Sequence, residues 1–405
     1  MHICFVCREY VPSLRAGGIA SYINEMAIGL YNAGQQVTVV CASDDTTKES
    51  IEYVDGIRVI RLAGGDFYIP EIEKKNNLCK FRIFYRFYSY RKKILNTVKR
   101  LSDIDIIEVP DFGGEGYFLD KLNIPVVIRL HTPSLFDRVS LGLVKYHGWR
   151  RLFYWTDKKE LEVINRAHFI SSCSLSLKNW CICNLHIEGK KINVIYNPIK
   201  PINVLNERIF KKVKHQFHII FVGTISKEKG CDDLIESGKI LRDKYHIDIV
   251  LAFYGKGGSY AKKLKLLESK FPWLKIVGKI DREQLIQVYR SADLVCFPSL
   301  WDNMPMVCLE AMQVGSIVLG SSSGGMSEII NDSKDGFLAP PHNPKLWADK
   351  IYNILNLDDK EKARISKNAT QRINDVFSTA TIIKQMMEYY QNVINDYRQY
   401  ESTVR

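Results

Sequence analysis

No run of about 18 apolar residues occurs in this chain of 405 residues, so the sequence offers no hydrophobic helix able to span a bilayer. The opening MHICFVCREYVP has neither a basic region nor a small-residue cleavage site, and its apolar part is only strand-length. No secretory signal is expected, and the chain is expected in the cytosol. Cysteine is present ten times but without metal-site spacing. Cys4 and Cys7 form a C-x-x-C and Cys181 and Cys183 a C-x-C, yet neither has a second ligand pair at zinc-like distance. Several cysteines fall inside apolar runs, which fits reduced, buried thiols. No glycine loop is followed by G-K-[ST], which excludes a Walker A site, and no G-x-S-x-G elbow exists for a hydrolase nucleophile. AFYGKGG at Gly255 lacks the rest of G-x-G-x-x-G and the acid that should follow it, so NAD is not expected. Acidic residues are in deficit, 45 against 57 Lys and Arg, for a formal net charge of +12.

What is present is enough apolar residue, 46%, to fill more than one core, and a length that suggests two or three domains. The order of apolar runs is βαβ-like. HICFVC, QVTVVCA, IRVIRL, DIIEV, PVVIRLH and HFISSC read as strands, with a helix from about Ile19 to Ala33 after the Gly17–Gly18 loop. The pattern restarts after the proline-containing YNPIKPINVLNER, with strands at FHIIFVG, IDIVLAFYG, LKIVG, DLVCFP and SIVLGS and helices near Asp232, Lys262, Arg282 and Pro305. The fold class expected is α/β, with two doubly wound, Rossmann-like parallel-sheet domains facing a central cleft. Domain boundaries are placed at 1–197, 198–375 and 376–405, the last a helix packing back on the first domain.

The charge excess is concentrated. CKFRIFYRFYSYRKKILNTVKR, from Cys79 to Arg100, carries eight Lys or Arg, no acid and six interleaved aromatic rings. Rings entering a headgroup layer while basic heads meet anionic lipid would account for it, with Lys80, Arg82, Arg86, Arg91, Lys92 and Lys93 as the contacts. A packed helix with solvated lysines accounts for it somewhat better, and base stacking in nucleic acid less well, so no nucleic-acid partner is expected. LGLVKYHGWRRLFYWTDKK from Leu141 is a weaker copy.

The most informative stretch is PSLWDNMPMVCLEAMQVG, Pro298 to Gly315, where Asp302 and Glu310 stand eight residues apart across an expected helix start. Asn303 is a fitting N-cap, Pro305 suits the first turn, and Gly315 ends the helix. With the helix beginning near Met304, Glu310 lies about 9 Å along the axis at 1.5 Å per residue, within reach of a ribose hydroxyl, while the helix start suits a diphosphate. Asp302 would hold a sugar hydroxyl. Taken alone, both acids are more often ordinary solvated or capping carboxylates. FVGTISKEKG adds Gly223, Thr224, Lys227 and Lys229 between a strand and a helix, a loop that can cradle diphosphate but more often is merely solvated. Gly17 and Gly18 permit close approach of an anion at a helix start or form a plain turn. RLHTP puts His131 at the carboxyl end of a strand. Asp103 and Asp105 form a D-x-D, but at a strand start, so no metal site is expected.

Together these segments resemble the retaining glycosyltransferases of family 4, which have the GT-B fold. GGIASYINEMAIGLYNAGQQVTVV looks like the family's Gly-Gly loop and helix, FVGTISKEKG like its diphosphate loop, and DNMPMVCLEAMQVG like its E-x7-E region, followed by SSSGGMSEII and DGFLAPP. The resemblance implies that Glu310 binds the donor ribose, that Asn303, Met304, Pro305, Met306 and Val307 present backbone amides to sugar and phosphate, that Gly223 and Thr224 line the diphosphate loop and that Lys229 neutralises the diphosphate. It implies His131 near the anomeric carbon, with Asp302 and Lys229 in the reacting site, and a metal-free transfer needing no cofactor. Asp302 stands where the family more often has Glu, and Thr224 where many members have Arg. The expected partners are a nucleotide-sugar donor, UDP- or GDP-linked, and a glycan or lipid-linked glycan acceptor, with the chain peripheral on the inner face of the membrane. A phosphorylase or nucleotide-sugar epimerase of the same fold, or a non-catalytic peripheral binding protein, are the alternatives.

Overall fold

The computed structural model describes residues 1–14, 17–65, 77–136, 153–202 and 216–404, side chains excepted at 77–83, 153, 154, 190, 401 and 404. Two compact units emerge, Met1–Pro198 with Thr379–Arg405, and Ile199–Ser378.

In chain order the first unit contains β1 (His2–Val6), α1 (Gly18–Asn32), β2 (Gln36–Ala42), β3 (Ser50–Val54), β4 (Ile57–Leu62), α2 (Asn77–Lys99) and β5 (Ile106–Pro110). These are followed by β6 (Val126–Leu130), α3 (Phe153–Arg166), β7 (Phe169–Ser172), α4 (Leu175–Leu185) and β8 (Ile192–Val194). The sheet order is β3-β4-β2-β1-β5-β6-β7-β8. Strands covered by helices on both faces need apolar residues on both, and β1 and β5 are buried at every position. The departure from a fully parallel sheet is β3, antiparallel to β4 and outside the strands that the sequence pattern suggests. Ile51 and Tyr53 on this edge are exposed, so it carries no burial pattern to read. Its signal is Asp55–Gly56, with φ of 50° and 82°, the positive pair that a type I′ hairpin turn demands.

The second unit contains β9 (Phe217–Val222), α5 (Cys231–Asp243), β10 (Ile249–Tyr254), α6 (Gly258–Lys265), β11 (Leu274–Gly278), α7 (Arg282–Ser291) and β12 (Leu294–Phe297). Then come α8 (Met306–Gln313), β13 (Val318–Ser321), α9 (Met326–Ile329), β14 (Phe337–Ala339), α10 (Pro344–Leu355) and α11 (Asp359–Arg372). Among the described residues its six strands run in the order β11-β10-β9-β12-β13-β14, all parallel. The last helix, α12 (Thr379–Val404), belongs to the first unit. Ile382, Met386, Tyr390 and Val393 form its buried stripe and join the core made by Tyr22, Ile23, Met26 and Leu30 of α1. Gly29 lets the two helices approach, since a Cβ there would come within 2.7 Å of the Ile383 side chain.

Strand order reverses at β1/β5 in one unit and at β9/β12 in the other, and open α/β sheets bind ligands outside the carboxyl ends of strands at such points. The loops after β1, β5, β9 and β12 are therefore the places to look for chemistry. Among the described residues, no helix is long and apolar enough to cross a membrane. Cys4 and Cys7 are buried at β1, and burial pushes the Cys4 thiol up to about 12, the behaviour of a packing residue. Asp105 accepts the His2 amide at 2.8 Å and Asp103 sits at φ 62°, so the D-x-D is spent on ending a turn.

The ends of β9 and β10 are pinned by glycine. Gly255 has φ 142°, and a Cβ there would collide with the Gly223 carbonyl oxygen. Gly255→Ala is expected to destabilise the second unit by more than about 2 kcal/mol through backbone strain and displacement of the Gly223 loop. Urea unfolding of the variant measures this, and an unchanged midpoint would contradict it.

Candidate functional site

In the second unit the loops following β9 and β12 are tied together. The Leu300 amide donates to the Glu228 carbonyl at 2.9 Å, and Gly230, at φ 68°, sits against the Pro298 carbonyl so closely that only glycine fits. This brings Lys229 Nζ to 2.7 Å from Asp302 Oδ2, with both side chains about a quarter exposed. The backbone of Asp302 is fixed from the other side. Its carbonyl accepts the Gly325 amide at 2.7 Å, and Gly324, at φ 65°, leaves room for it. Thr224 is exposed at the start of the same loop as Lys229.

The helix start differs from expectation. α8 begins at Met306 with Pro305 at the N-cap position, and Asn303 does not cap it. Asn303 is buried and accepts from Trp301 Nε1 at 2.7 Å, so its side chain shapes the turn before the helix. Proline has no amide to present, so of the stretch from Asn303 to Val307, Pro305 is excluded as a backbone donor. Met304 is buried, while Met306 and Val307 lie half-buried in the first turn, where amides have no partner within the helix. Glu310, one turn on, is largely buried. Burial raises its carboxyl above the usual range, and the Arg282 guanidinium, 3.7 Å away, and the Tyr289 hydroxyl act against that rise. Neither Arg282 nor Tyr289 was singled out by sequence; Arg282 opens α7 and Tyr289 lies two turns further on.

In the first unit the Gly17 amide donates to Glu9 Oε1 at 3.2 Å, so one of the chain's own carboxylates sits at the start of α1. A Cβ at Gly18 would meet nothing within 4 Å, so at that glycine the structure shows no crowding that demands it. His131 follows β6. Its amide donates to Asp111 Oδ1 at 3.1 Å and its ring meets Tyr22 edge-on, centroids 4.7 Å apart. Burial first, then the charge of Arg129, hold the imidazole well below its ordinary pKa, so it is neutral at pH 7.

Two carboxylates that the sequence did not advertise hold backbone amides at His131 and three residues beyond it. Asp111, directly after β5, accepts from the amides of Phe112 and His131 and is pushed up to about 7 by burial. Glu160 of α3 accepts from the amides of Gly113 and Ser134 at 2.7 and 2.9 Å and is pushed up to about 8, again by burial. Position is the one available signal for Asp111, an acid closing an apolar strand ahead of Gly113–Gly114.

The basic aromatic segment is corrected in part. Arg91 is fully buried, donates to the carbonyls of Gly113 and Gly114, stacks on Phe87 and lies 3.6 Å from Glu115. It cannot meet a membrane. Lys93 is held by Glu49 at 2.7 Å and the Ala63 carbonyl. Phe87 and Tyr90 are buried, and Phe84 and Phe87 pack against Trp155 of α3. Lys92 and Tyr85 are exposed and Arg86 is half-buried. The side chains of Lys80 and Arg82, and residues 141–152 of the second basic stretch, lie outside the described residues.

Residues 16–201 match Glycosyltransferase Family 4, and residues 205–372 match Glycosyl transferases group 1. A D-inositol 3-phosphate glycosyltransferase of Mycobacteroides abscessus is 30% identical over 95% of this chain and 86% of its own. The chain belongs to glycosyltransferase family 4. An uncharacterized glycosyltransferase of Methanocaldococcus jannaschii is 26% identical to this glycosyltransferase over 96% of the chain and 98% of its own. Among solved structures, sucrose-phosphate synthase of Thermosynechococcus elongatus superposes with a TM-score of 0.76 at 19% identity, covering 98% of this chain and 99% of that one. Anabaena Alr3699/HepE in complex with UDP gives 0.69 at 18% identity, covering 97% and 100%. These likenesses bear on the fold, which is GT-B.

The raised Asp111 carboxyl makes stability depend on pH. Its ordinary value is 3.8 and its folded value about 7, so the folded state holds the proton longer. The stability this group contributes is complete below about pH 4 and is lost as pH rises to about 7, at up to about 1.4 kcal/mol per pH unit. Asp111→Asn in this glycosyltransferase should flatten the decline between pH 5 and 7, as read by urea unfolding; equal slopes in both proteins would contradict the assignment.

Proposed function

We propose that the chain transfers a hexose-type sugar, with retention of configuration and without a metal ion, from a UDP- or GDP-sugar to a hydroxyl of a lipid-linked surface-glycan precursor. The observation that carries this reading is Glu310, a largely buried carboxylate held beside Arg282 and Tyr289, on the same helix whose first turn follows the Lys229–Asp302 pair. A carboxylate poised in that way accepts two ribose hydroxyls. Lys229 and the first-turn amides of α8 then offset the diphosphate charge, and Lys229 must take more of it because Thr224 brings no cation. Asp302, released from Lys229, accepts from a hydroxyl of the sugar. The structure of Anabaena Alr3699/HepE in complex with UDP supports a uridine donor by analogy of fold.

For the chemistry, the bond from the anomeric carbon to the diphosphate oxygen breaks while the acceptor oxygen bonds to the same face. The departing diphosphate takes the acceptor proton, so no enzymic nucleophile is required. His131, neutral, donates or accepts one hydrogen bond to the transferred sugar. Positioning and fixed charge supply the acceleration. The acceptor's lipid anchor is supported by exposed Tyr85 and Lys92 and half-buried Arg86 on α2, with the chain acting on a cytoplasmic membrane face.

Glu310→Ala should weaken nucleotide-sugar binding in titration calorimetry by at least about a hundredfold, since two hydrogen bonds to a charged acceptor are worth about 1.5–3 kcal/mol each. Unchanged affinity would sink the ribose assignment. Separately, Arg86→Glu with Lys92→Glu should reduce sedimentation with anionic phosphatidylglycerol vesicles, and equal binding would remove the membrane part of the reading while leaving the transferase part standing.

A further inference from the structure

A carboxylate at the middle of a buried strand needs a reason. Glu108 stands in β5, fully buried, with β1 hydrogen-bonded alongside through the Phe5 register position. Both of its oxygens are occupied by tyrosine hydroxyls: Tyr22 of α1 donates to Oε1 at 2.9 Å, and Tyr390 of α12 donates to Oε2 at 2.8 Å. Tyr22 is also the ring that the His131 imidazole meets edge-on. Beneath Tyr22, the Arg129 guanidinium lies 4.8 Å from the ring centroid. Arg129 is itself fixed, donating to the Ile195 carbonyl at 2.7 Å and to Asn197 Oδ1 at 3.0 Å. The wall against which His131 rests is thus held by one carboxylate, and half of that carboxylate's hydrogen bonding comes from a residue 282 positions away in the sequence.

We infer that Tyr390, in the last helix of the chain, is a positioning residue for His131, acting through Glu108 and Tyr22. The inference rests on the proposed role of His131 in transfer. Without the Tyr390 hydroxyl, Glu108 Oε2 loses its donor in a site that water does not reach, and the carboxylate turns to recover one. Among the described residues its remaining hydroxyl donor is Tyr22, so the Tyr22 ring moves with it. Arg129 cannot follow, because its guanidinium is anchored to Ile195 and Asn197. The consequence falls on the imidazole packed against that ring. A buried network whose members share acceptors acts as one unit, so removing either hydroxyl has one effect.

Tyr390→Phe, Tyr22→Phe and the double variant test this in the full chain, since each removes a single oxygen and keeps the packed ring. Two readouts are taken, with the melting temperature recorded for each protein. Steady-state kinetics should show kcat down by about tenfold in Tyr390→Phe with donor KM within about twofold, as expected of a group that positions a reacting-site residue. In protein labelled with carbon-13 at the imidazole Cε1, the His131 signal, assigned by its loss in His131→Asn, should shift in Tyr390→Phe and Tyr22→Phe alike. The double variant should lose no more activity than the worse single one. An unmoved His131 signal in Tyr390→Phe overturns the inference, as do kcat losses that multiply in the double variant. A shifted His131 signal in a chain that transfers no sugar at all would leave the positioning intact and overturn the transferase reading instead.

Discussion

Burying a parallel sheet on both faces is the constraint on which the rest depends. Once β1, β5, β9 and β12 are committed to apolar cores, side chains that do chemistry can stand only where the strands end. The order of strands then selects which ends count. At β9/β12 the chain leaves in opposite directions along the sheet, and the two loops that diverge there are those that carry Lys229 and Asp302. At β1/β5 and the adjoining β6 the same geometry yields Gly17, Asp111 and His131. The glycines 230, 255 and 324 serve this arrangement by letting loop backbones touch where a Cβ would prevent it.

The polar groups that do lie inside are instructive because they are costly. Glu108 and Arg129 are fully buried, and burial raises the Glu108 carboxyl against the opposing pull of Arg129 and the two tyrosine hydroxyls. Such a network adds little to net stability compared with an apolar substitute of the same shape. It does fix where Tyr22 and α12 sit, because each hydroxyl must reach one particular oxygen. Arg91 makes the same point on α2: its charge is spent on the carbonyls of Gly113 and Gly114, which close the loop beside Asp111.

Much of this was legible in the sequence for a physical reason. Strands buried on both faces advertise themselves as apolar runs, and the alternation of such runs with helices specifies a parallel sheet. That is why HICFVC and FHIIFVG were readable while β3, exposed on an edge, was not. Lys229 and His131 were found because glycine or proline marks their loops, and Glu310 because Pro305 and Gly315 bracket its helix. Pro305 misled about the start of α8, since proline favours the first turn but here stands at the N-cap position, and Asn303 turned out to serve Trp301. Asp111, Glu160, Glu108, Arg282 and Tyr289 carry no local pattern; their partners on other elements lie 20 to 282 residues away, and only the fold unites them. Arg91 shows the converse error, a basic residue in a basic run that the fold draws inward.

The central claim is that the second unit binds a nucleotide sugar through Glu310 and Lys229. Its most direct test is the melting temperature of the purified chain against UDP, GDP, ADP and their common sugar derivatives, with EDTA present throughout. The account predicts a rise with one uridine or guanosine series, undiminished by the chelator. No rise with any nucleotide, or a rise that EDTA abolishes, would contradict it.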